Sequence, residues 1–346
     1  MNSNKYVGLD IHLATISCAV LDSDGNQLMS LVLQTKAELI VGFLQGLKGE
    51  VHLAFEEGTW SQWMFEITKP LVERVVVCNP RLLSGKGKKN DKLDATKLAD
   101  LLRLNALRGV YHHQRRSFSE IKQLVVIYNQ LTEDRTRSIN RLRSVFREQA
   151  MTIKLDGVAL AESVKELPTA GHRERAELLF AEIEAITQLR EKARQKMIAQ
   201  AEEQKSYHLL QSLPGISSIR AAQLLAWVIT PHRFRSKRQF WSYCGLSVIT
   251  RSSADYRVVG GKIVKSQNDG TTYGLTTEYH RGLKNLFKGA ALDSIKNEKM
   301  RGSYQKLVDR GLKETIARVQ MARKIAASCL AIWKSGKKFE IERFSS

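Results

Sequence analysis

Tyr6-Val7-Gly8-Leu9-Asp10 is a short apolar run that ends in a carboxylate, and reading it as the first strand of a sheet decides the fold. Thr15 to Leu21 is a second apolar run, and Asp22-Ser23-Asp24-Gly25 has the chemistry of a hairpin turn. Leu28 to Leu33 makes a third strand and Lys36 to Leu47 a helix. Val51-His52-Leu53-Ala54-Phe55-Glu56 is a further strand that also ends in acid. Trp60 to Val72 reads as a helix, Arg74 to Cys78 as a strand, and Asn79-Pro80 stops it. The order β-β-β-α-β-α-β predicts a mixed sheet with helices, so this part of the chain belongs to the α/β class.

Beyond the stop comes Lys88-Lys89-Asn90-Asp91-Lys92-Leu93-Asp94-Ala95, two carboxylates three residues apart behind a run of lysines. Asp91 fits the N-cap of a helix and Asp94 lies one turn on, so both side chains leave one face. Plain capping is one reading of the pair. The other is a divalent cation held beside a phosphate backbone. Asp10, Glu56, Asp91 and Asp94 would repel one another in a shared cleft unless a cation neutralised them. An oxygen-only donor set next to phosphate favours Mg²⁺ or Mn²⁺ over zinc. Ser84-Gly85-Lys86-Gly87-Lys88-Lys89 reads either as a solvated loop or as a basic flap over phosphates.

The 346 residues carry 43% hydrophobic and 26% charged side chains, the balance of an ordinary folded protein with room for two or three domains. The net charge of +20 is far from ordinary and points to a polyanionic partner, nucleic acid before membrane. No apolar stretch reaches the length of about 18 residues that a membrane span needs, and no signal peptide precedes the first strand. Cys18, Cys78, Cys244 and Cys329 are far apart in mostly apolar surroundings, which suits buried reduced thiols. A cytoplasmic protein follows from these expectations.

No proline falls between Pro80 and Pro168. Ile121, Leu124, Ile127, Leu131, Ile139, Leu142 and Phe146 recur at helical spacing, with Arg135, Arg137, Arg141, Arg143 and Arg147 on the same helix. After a break near Gly157 and Pro168, Leu179, Ile183, Ile186, Ala193 and Met197 predict a second helix, and the two form an antiparallel, coiled-coil-like arm. The arginines serve either as a solvated face or as phosphate contacts.

Ser212-Leu213-Pro214-Gly215-Ile216 opens a segment like a helix-hairpin-helix, although Ser217 stands where many such motifs have a second glycine. Arg233, Arg235, Lys237 and Arg238 alternate with Phe234, Phe240, Trp241 and Tyr243, a pattern that fits base stacking or rings packed inward. Tyr243-Cys244-Gly245-Leu246 precedes Arg251-Ser252-Ser253-Ala254-Asp255-Tyr256-Arg257, read with Gly260 to Gly274 as loop. From His280 onward 16 Lys and Arg face 6 Asp and Glu, with Lys284 and Lys288 on a helical segment. A final helix carries Ile316, Val319, Ile325 and Ile332 and ends at Gly336.

Gly-Leu-Asp10-Ile-His, Phe-Glu56-Glu-Gly-Thr and Asn-Asp91-Lys-Leu-Asp94-Ala together resemble the RuvC-like, ribonuclease-H-type domain of DEDD transposases, the Piv/MooV-type insertion-sequence recombinases. One residue fewer lies between this glutamate and its threonine than in many members, which leaves Glu57 as the alternative to Glu56. The resemblance implies residues 1–112 as a RuvC-like metal-binding domain, 113–205 as the coiled-coil arm and 206–346 as a mainly helical transposase domain. It implies Asp10, Glu56, Asp91 and Asp94 as metal ligands and Ser253, with Ser252 as the near alternative, as a nucleophile that becomes covalently joined to DNA phosphate. Lys86, Lys88, Lys89, Arg137, Arg141, Arg235, Arg251, Arg257, Lys284 and Lys288 are the candidate nucleic-acid contacts. Implied partners are donor and target double-stranded DNA, a structured noncoding bridge RNA that guides site choice, and further copies of the chain in a dimer or tetramer. In that tetramer the carboxylates of one subunit meet the serine of another. Three other classes compete: a metal-dependent nuclease or junction resolvase with a structural serine, a non-catalytic nucleic-acid-binding protein, and an actin-like sugar kinase. The kinase would need glycine-rich phosphate loops later in the chain, and none is found.

Overall fold

The computed structural model describes residues 4–79, 91–112, 116–153, 157–251, 256–265 and 271–341. Two compact units divide the chain, Met1–Arg115 and Arg116–Ser346.

The first unit follows the expected order. Strands β1 (Lys5–Ile11), β2 (Thr15–Leu21), β3 (Gln27–Gln34), β4 (Val51–Glu56) and β5 (Arg74–Cys78) alternate with helices α1 (Ala37–Gly46) and α2 (Ser61–Thr68). Helix α3 (Asp91–Arg103) comes last. The sheet order is β3-β2-β1-β4-β5. β1, β2 and β3 pair antiparallel, as tight turns allow, whereas β4 and β5 run parallel to β1 because a helix carries the chain back each time. This is the mixed sheet of a ribonuclease-H-like domain. One sheet face presents Val7, Leu9, Ile16, Cys18, Leu53, Phe55 and Val77, and these form a core with Ile40, Leu44 and Met64 of α1 and α2.

The opposite face is narrower, and α3 lies directly on it. A Cβ on Gly8 would stand 2.0 Å from the Ala95 carbonyl oxygen and 2.7 Å from the Ala99 nitrogen. Glycine at this strand position therefore lets helix backbone meet strand backbone. Ala95 and Ala99 are buried there with Leu98 and Leu102. The helix ends on Asn105, left-handed at φ 52, with the Ala106 amide bonded to the Leu101 carbonyl and Asn105 to Leu102. That is the Schellman arrangement, which asparagine tolerates better than most residues.

In the second unit, α4 (Arg116–Arg147) and α6 (Ala170–Glu202) make the antiparallel pair, and α5 (Gly157–Lys165) occupies part of the break between them. The expected apolar stripe forms, with Leu124 and Leu131 partly buried against the core, and it departs from expectation at one position. Phe118, Ile121, Val125, Tyr128, Ile139, Leu142 and Phe146 are buried, whereas Ile127 is 42% exposed. Between Tyr128 and Ile139 the heptad spacing places Thr132 and Arg135 on the seam. Arg135 Nε donates to Thr187 Oγ1 at 2.8 Å, Arg190 Nε to Thr132 Oγ1 at 3.1 Å and Arg190 to the Tyr128 hydroxyl at 3.2 Å. This polar layer separates two cores. Above it Ile139, Leu142, Phe146, Leu160, Ala176 and Ile183 cluster by themselves. Below it the arm shares one core with the helices that follow.

Those helices are α7 (Ser206–Gln211), α8 (Ser218–Val228), α9 (Lys237–Tyr243), α10 (Arg281–Ser294), α11 (Glu298–Asp309) and α12 (Glu314–Ser335), the last closed by Gly336 at φ 67. Between α9 and α10 the expected loop contains strands: β6 (Val248–Arg251) pairs with β9 (Thr271–Leu275), and β7 (Tyr256–Val259) with β8 (Lys262–Lys265). The β7–β8 turn is Gly260-Gly261, with φ of 57 and 76. Two successive positive values suit the twist of a tight hairpin, and glycine supplies them without strain. None of the helices among the described residues is long and apolar enough to cross a membrane.

Candidate functional site

Asp10 and Glu56 stand at neighbouring strand ends. The β1–β4 register pairs Gly8 with Ala54 and Leu9 with Phe55, so the next step along both strands brings Asp10 beside Glu56. Because side chains alternate across a strand, both acids share the face of Gly8 and Ala54, which is the face α3 covers. Asp10 is also paired with Ser17 of β2, a buried residue. The Asp10 side chain is 20% exposed and that of His12 49%, with His12 Nε2 3.2 Å from Asp10 Oδ2.

The far end of α3 sets its direction. Arg103 donates to the Ser23 carbonyl oxygen in the β2–β3 turn at 3.3 Å, and the Arg74 guanidinium, at the start of β5, bonds Asn105 Oδ1 at 3.1 Å. Both anchors lie at the edge where β1, β4 and β5 begin. The first turn of α3 therefore reaches the opposite edge, where Asp10 and Glu56 end their strands. Asp94 immediately precedes the Gly8 contact at Ala95 and is half-buried. Asp91 opens the helix, and its side chain lies outside the described residues.

Glu56 pairs in register with Cys78 of β5. Burial pushes the Cys78 thiol up to about 12, and the Glu56 charge adds to that shift. A thiol so hard to ionise adds no charge of its own to this edge. Glu57 lies past the strand, exposed, with its amide on the Cys78 carbonyl at 2.8 Å. Among the described residues, no three His, Cys, Asp or Glu side chains already converge as a ligand set for an ion.

The remaining predicted residues are spread through the second unit or fall outside the described residues. Lys86, Lys88, Lys89, Ser252 and Ser253 are in the latter group, as are the side chains of Arg251, which ends β6, and Arg257 in β7. Arg137 is exposed and paired with Asp134 on its own helix. Arg141 lines an open groove of about 750 Å³ on the arm together with Glu174, Arg175 and Leu178. Arg235 and Lys288 are exposed. Lys284 lies 4.1 Å above the Tyr279 ring, a cation–π contact.

Two sequence readings acquire different physical reasons. Gly215, at φ 88, packs against α10: a Cβ there would meet the Ala290 carbonyl oxygen at 2.3 Å. Its close approach is thus spent inside the core, and Ser217 caps α8 by accepting from the Arg220 amide. The aromatic and basic residues after α8 also pack largely on one another, with Phe240 fully buried and Arg233 4.7 Å above the Tyr243 ring. His12 escaped the sequence reading; the signal was its position two residues after Asp10, just past the end of the strand.

A ribonuclease-H-like sheet carrying acids at adjoining strand ends, with an acid-bearing helix start brought to the same edge, defines the class. Comparison with known families gives the particular branch. A model described as "Transposase", for the DEDD transposases of IS110 type, matches residues 7–150 and spans all four acids. A second, described as "Transposase IS116/IS110/IS902 family", matches residues 207–271 and spans both serines. The chain belongs to the IS110 family of DEDD transposases. It is 26% identical over 189 residues to a protein named "Transposase for insertion sequence element IS1111A" from Coxiella burnetii (strain RSA 493 / Nine Mile phase I), a match that covers 51% of this chain and 50% of that relative. The chain thus spans about half the length of the curated relative it matches.

Proposed function

We propose that this chain is a DNA recombinase of an insertion sequence, cutting and rejoining donor and target double-stranded DNA. The observation that supports this best is the docking of α3 through Gly8, which brings the helix start bearing Asp91 and Asp94 to the edge where Asp10 and Glu56 end their strands. All four are carboxylates, a donor set that fits a hard divalent cation, Mg²⁺ or Mn²⁺. Bound there, such an ion would stabilise charge on the oxygens of an in-line phosphoryl displacement.

Ser253 is the nucleophile in this reading. Its hydroxyl oxygen bonds to phosphorus while the bond to the leaving deoxyribose oxygen breaks, and the hydroxyl proton ends on that leaving oxygen. The phosphoserine ester keeps the bond energy that rejoining needs. Arg251 and Arg257 flank the serine in sequence, and their guanidinium groups would offset charge on the pentavalent phosphate. Lys86, Lys88, Lys89, Arg137, Arg141, Arg235, Lys284 and Lys288 hold the polyanion through its phosphates. The net charge of +20 suits two nucleic acids at once, DNA and a noncoding guide RNA that selects the sites by pairing. The working form is a homo-oligomer, a dimer or tetramer, acting in the cytoplasm at the nucleoid.

The test is covalent capture. Incubated with its guide RNA, Mg²⁺ and DNA carrying a nick next to the scissile phosphate, the protein should form a denaturation-resistant adduct, absent in Ser253→Ala and in Asp10→Asn. Cleavage that survives Ser253→Ala without any adduct would mean a metal-dependent nuclease instead. Unaltered nucleic-acid binding with no cleavage by the native protein would mean a binding protein.

A further inference from the structure

We infer that His12 is a positioning residue for Asp10, an inference that rests on the carboxylate reading above. His12 Nε2 lies 3.2 Å from Asp10 Oδ2. An ionised carboxylate only accepts, so the imidazole N–H donates and fixes the direction in which that oxygen turns. The backbone on which His12 sits is itself pinned. Its amide bonds the Thr15 carbonyl at 2.9 Å, closing the turn into β2. Its carbonyl accepts from Thr35 Oγ1 at 2.9 Å, and the Thr35 amide bonds the Ala14 carbonyl at 3.0 Å. The ends of β1 and β3 and the start of β2 thus meet at the three-residue turn 12–14, whose histidine ring touches the acid at the strand end.

The consequence concerns where charge is presented. Asp10 is the only one of the four acids borne by the central strand β1, between β2 and β4. A carboxylate free to rotate loses rotational freedom when it takes up an ion, and a donor that holds it in advance removes that cost. Groups that hydrogen-bond a ligand side chain in this way typically change metal affinity by about tenfold to a hundredfold when removed. Glutamine reaches about as far as the histidine Nε2 and keeps an N–H donor.

The test is Mn²⁺ affinity of the full-length protein without DNA, read by electron paramagnetic resonance of the free ion, beside cleavage kinetics and a thermal melt. His12→Ala should bind Mn²⁺ about tenfold more weakly and lower kcat more than it raises KM for DNA, with its melting temperature unchanged. His12→Gln should recover most of both losses. Native Mn²⁺ affinity in His12→Ala, or equal impairment of the alanine and glutamine variants, overturns the assignment. Asp10→Asn separates this from the reading beneath it: native Mn²⁺ affinity there would bring down the carboxylate site, and the role of His12 with it.

Discussion

At the scale of single residues, Gly8 has the largest leverage. The space a methyl group would need at this position is taken by the backbone of α3, 2.0 Å away at the Ala95 carbonyl. Backbone cannot rotate aside as a side chain can. Gly8→Ala must therefore lift the helix or bend the strand, with a destabilisation of about 1–3 kcal/mol. Urea unfolding would measure that loss, and Mn²⁺ binding should fall with it, because the helix start shifts against the strand ends. A stability equal to the native protein's would mean that α3 does not rest on β1. This contact was hidden in the sequence. Gly-Leu-Asp reads as a strand end with a carboxylate, but nothing in the letters says that the glycine is there for a helix some 90 residues later. The strand-end positions of Asp10 and Glu56 were legible, because each closes an apolar run, as Asp10 closes Val7 to Leu9.

Among elements, the arm shows where pattern reading succeeds and where it slips. Two long helices were evident from spacing and the missing proline, yet the buried stripe runs through Val125 and Tyr128, and Ile127 faces out. The slip is confined to Ile127 and has a physical source: the seam turns polar at Thr132 and Arg135, so an apolar count there takes the isoleucine in place of Tyr128. The β6–β9 strands were missed for a related reason. Strands of four or five residues carry little periodicity, although Gly260-Gly261 between Tyr256-Arg257-Val258-Val259 and Lys262-Ile263-Val264-Lys265 was a hairpin signal. The polar layer makes a prediction. Arg190→Ala removes the donor to the Tyr128 and Thr132 hydroxyls and should cost about 1–3 kcal/mol. Exchanging Thr132, Arg135, Thr187 and Arg190 together for valine and leucine should raise the melting temperature. The same exchange would loosen the register of the pair, visible as broader amide signals. If the fourfold variant melts lower than the native chain, the layer is a source of stability and not a register mark.

For the whole molecule, charge dominates. An excess of 20 positive charges means that binding to a polyanion releases condensed counterions, and the observed affinity falls linearly in log–log form as salt rises. Six to ten phosphate contacts would cost about a thousandfold to a hundred-thousandfold in affinity between 50 and 200 mM salt. Fluorescence anisotropy of labelled duplex across that range checks it, and a flat profile would show that the charge is not aimed at phosphate. Half of the excess falls after His280, so Lys284→Glu with Lys288→Glu should lower the slope by about two contacts.

The four thiols offer a practical consequence. Cys18, Cys78, Cys244 and Cys329 are all buried and unbridged, and their ionisation is suppressed by desolvation. Since only a thiolate attacks an electrophile at useful speed, the folded chain is nearly silent toward maleimides. One cysteine installed at an exposed spot outside the proposed nucleic-acid contacts, such as Leu178 on the arm or Leu292 on α10, would take up a dye alone. The dye would then report nucleic-acid binding from a known position, with no native cysteine to be engineered away.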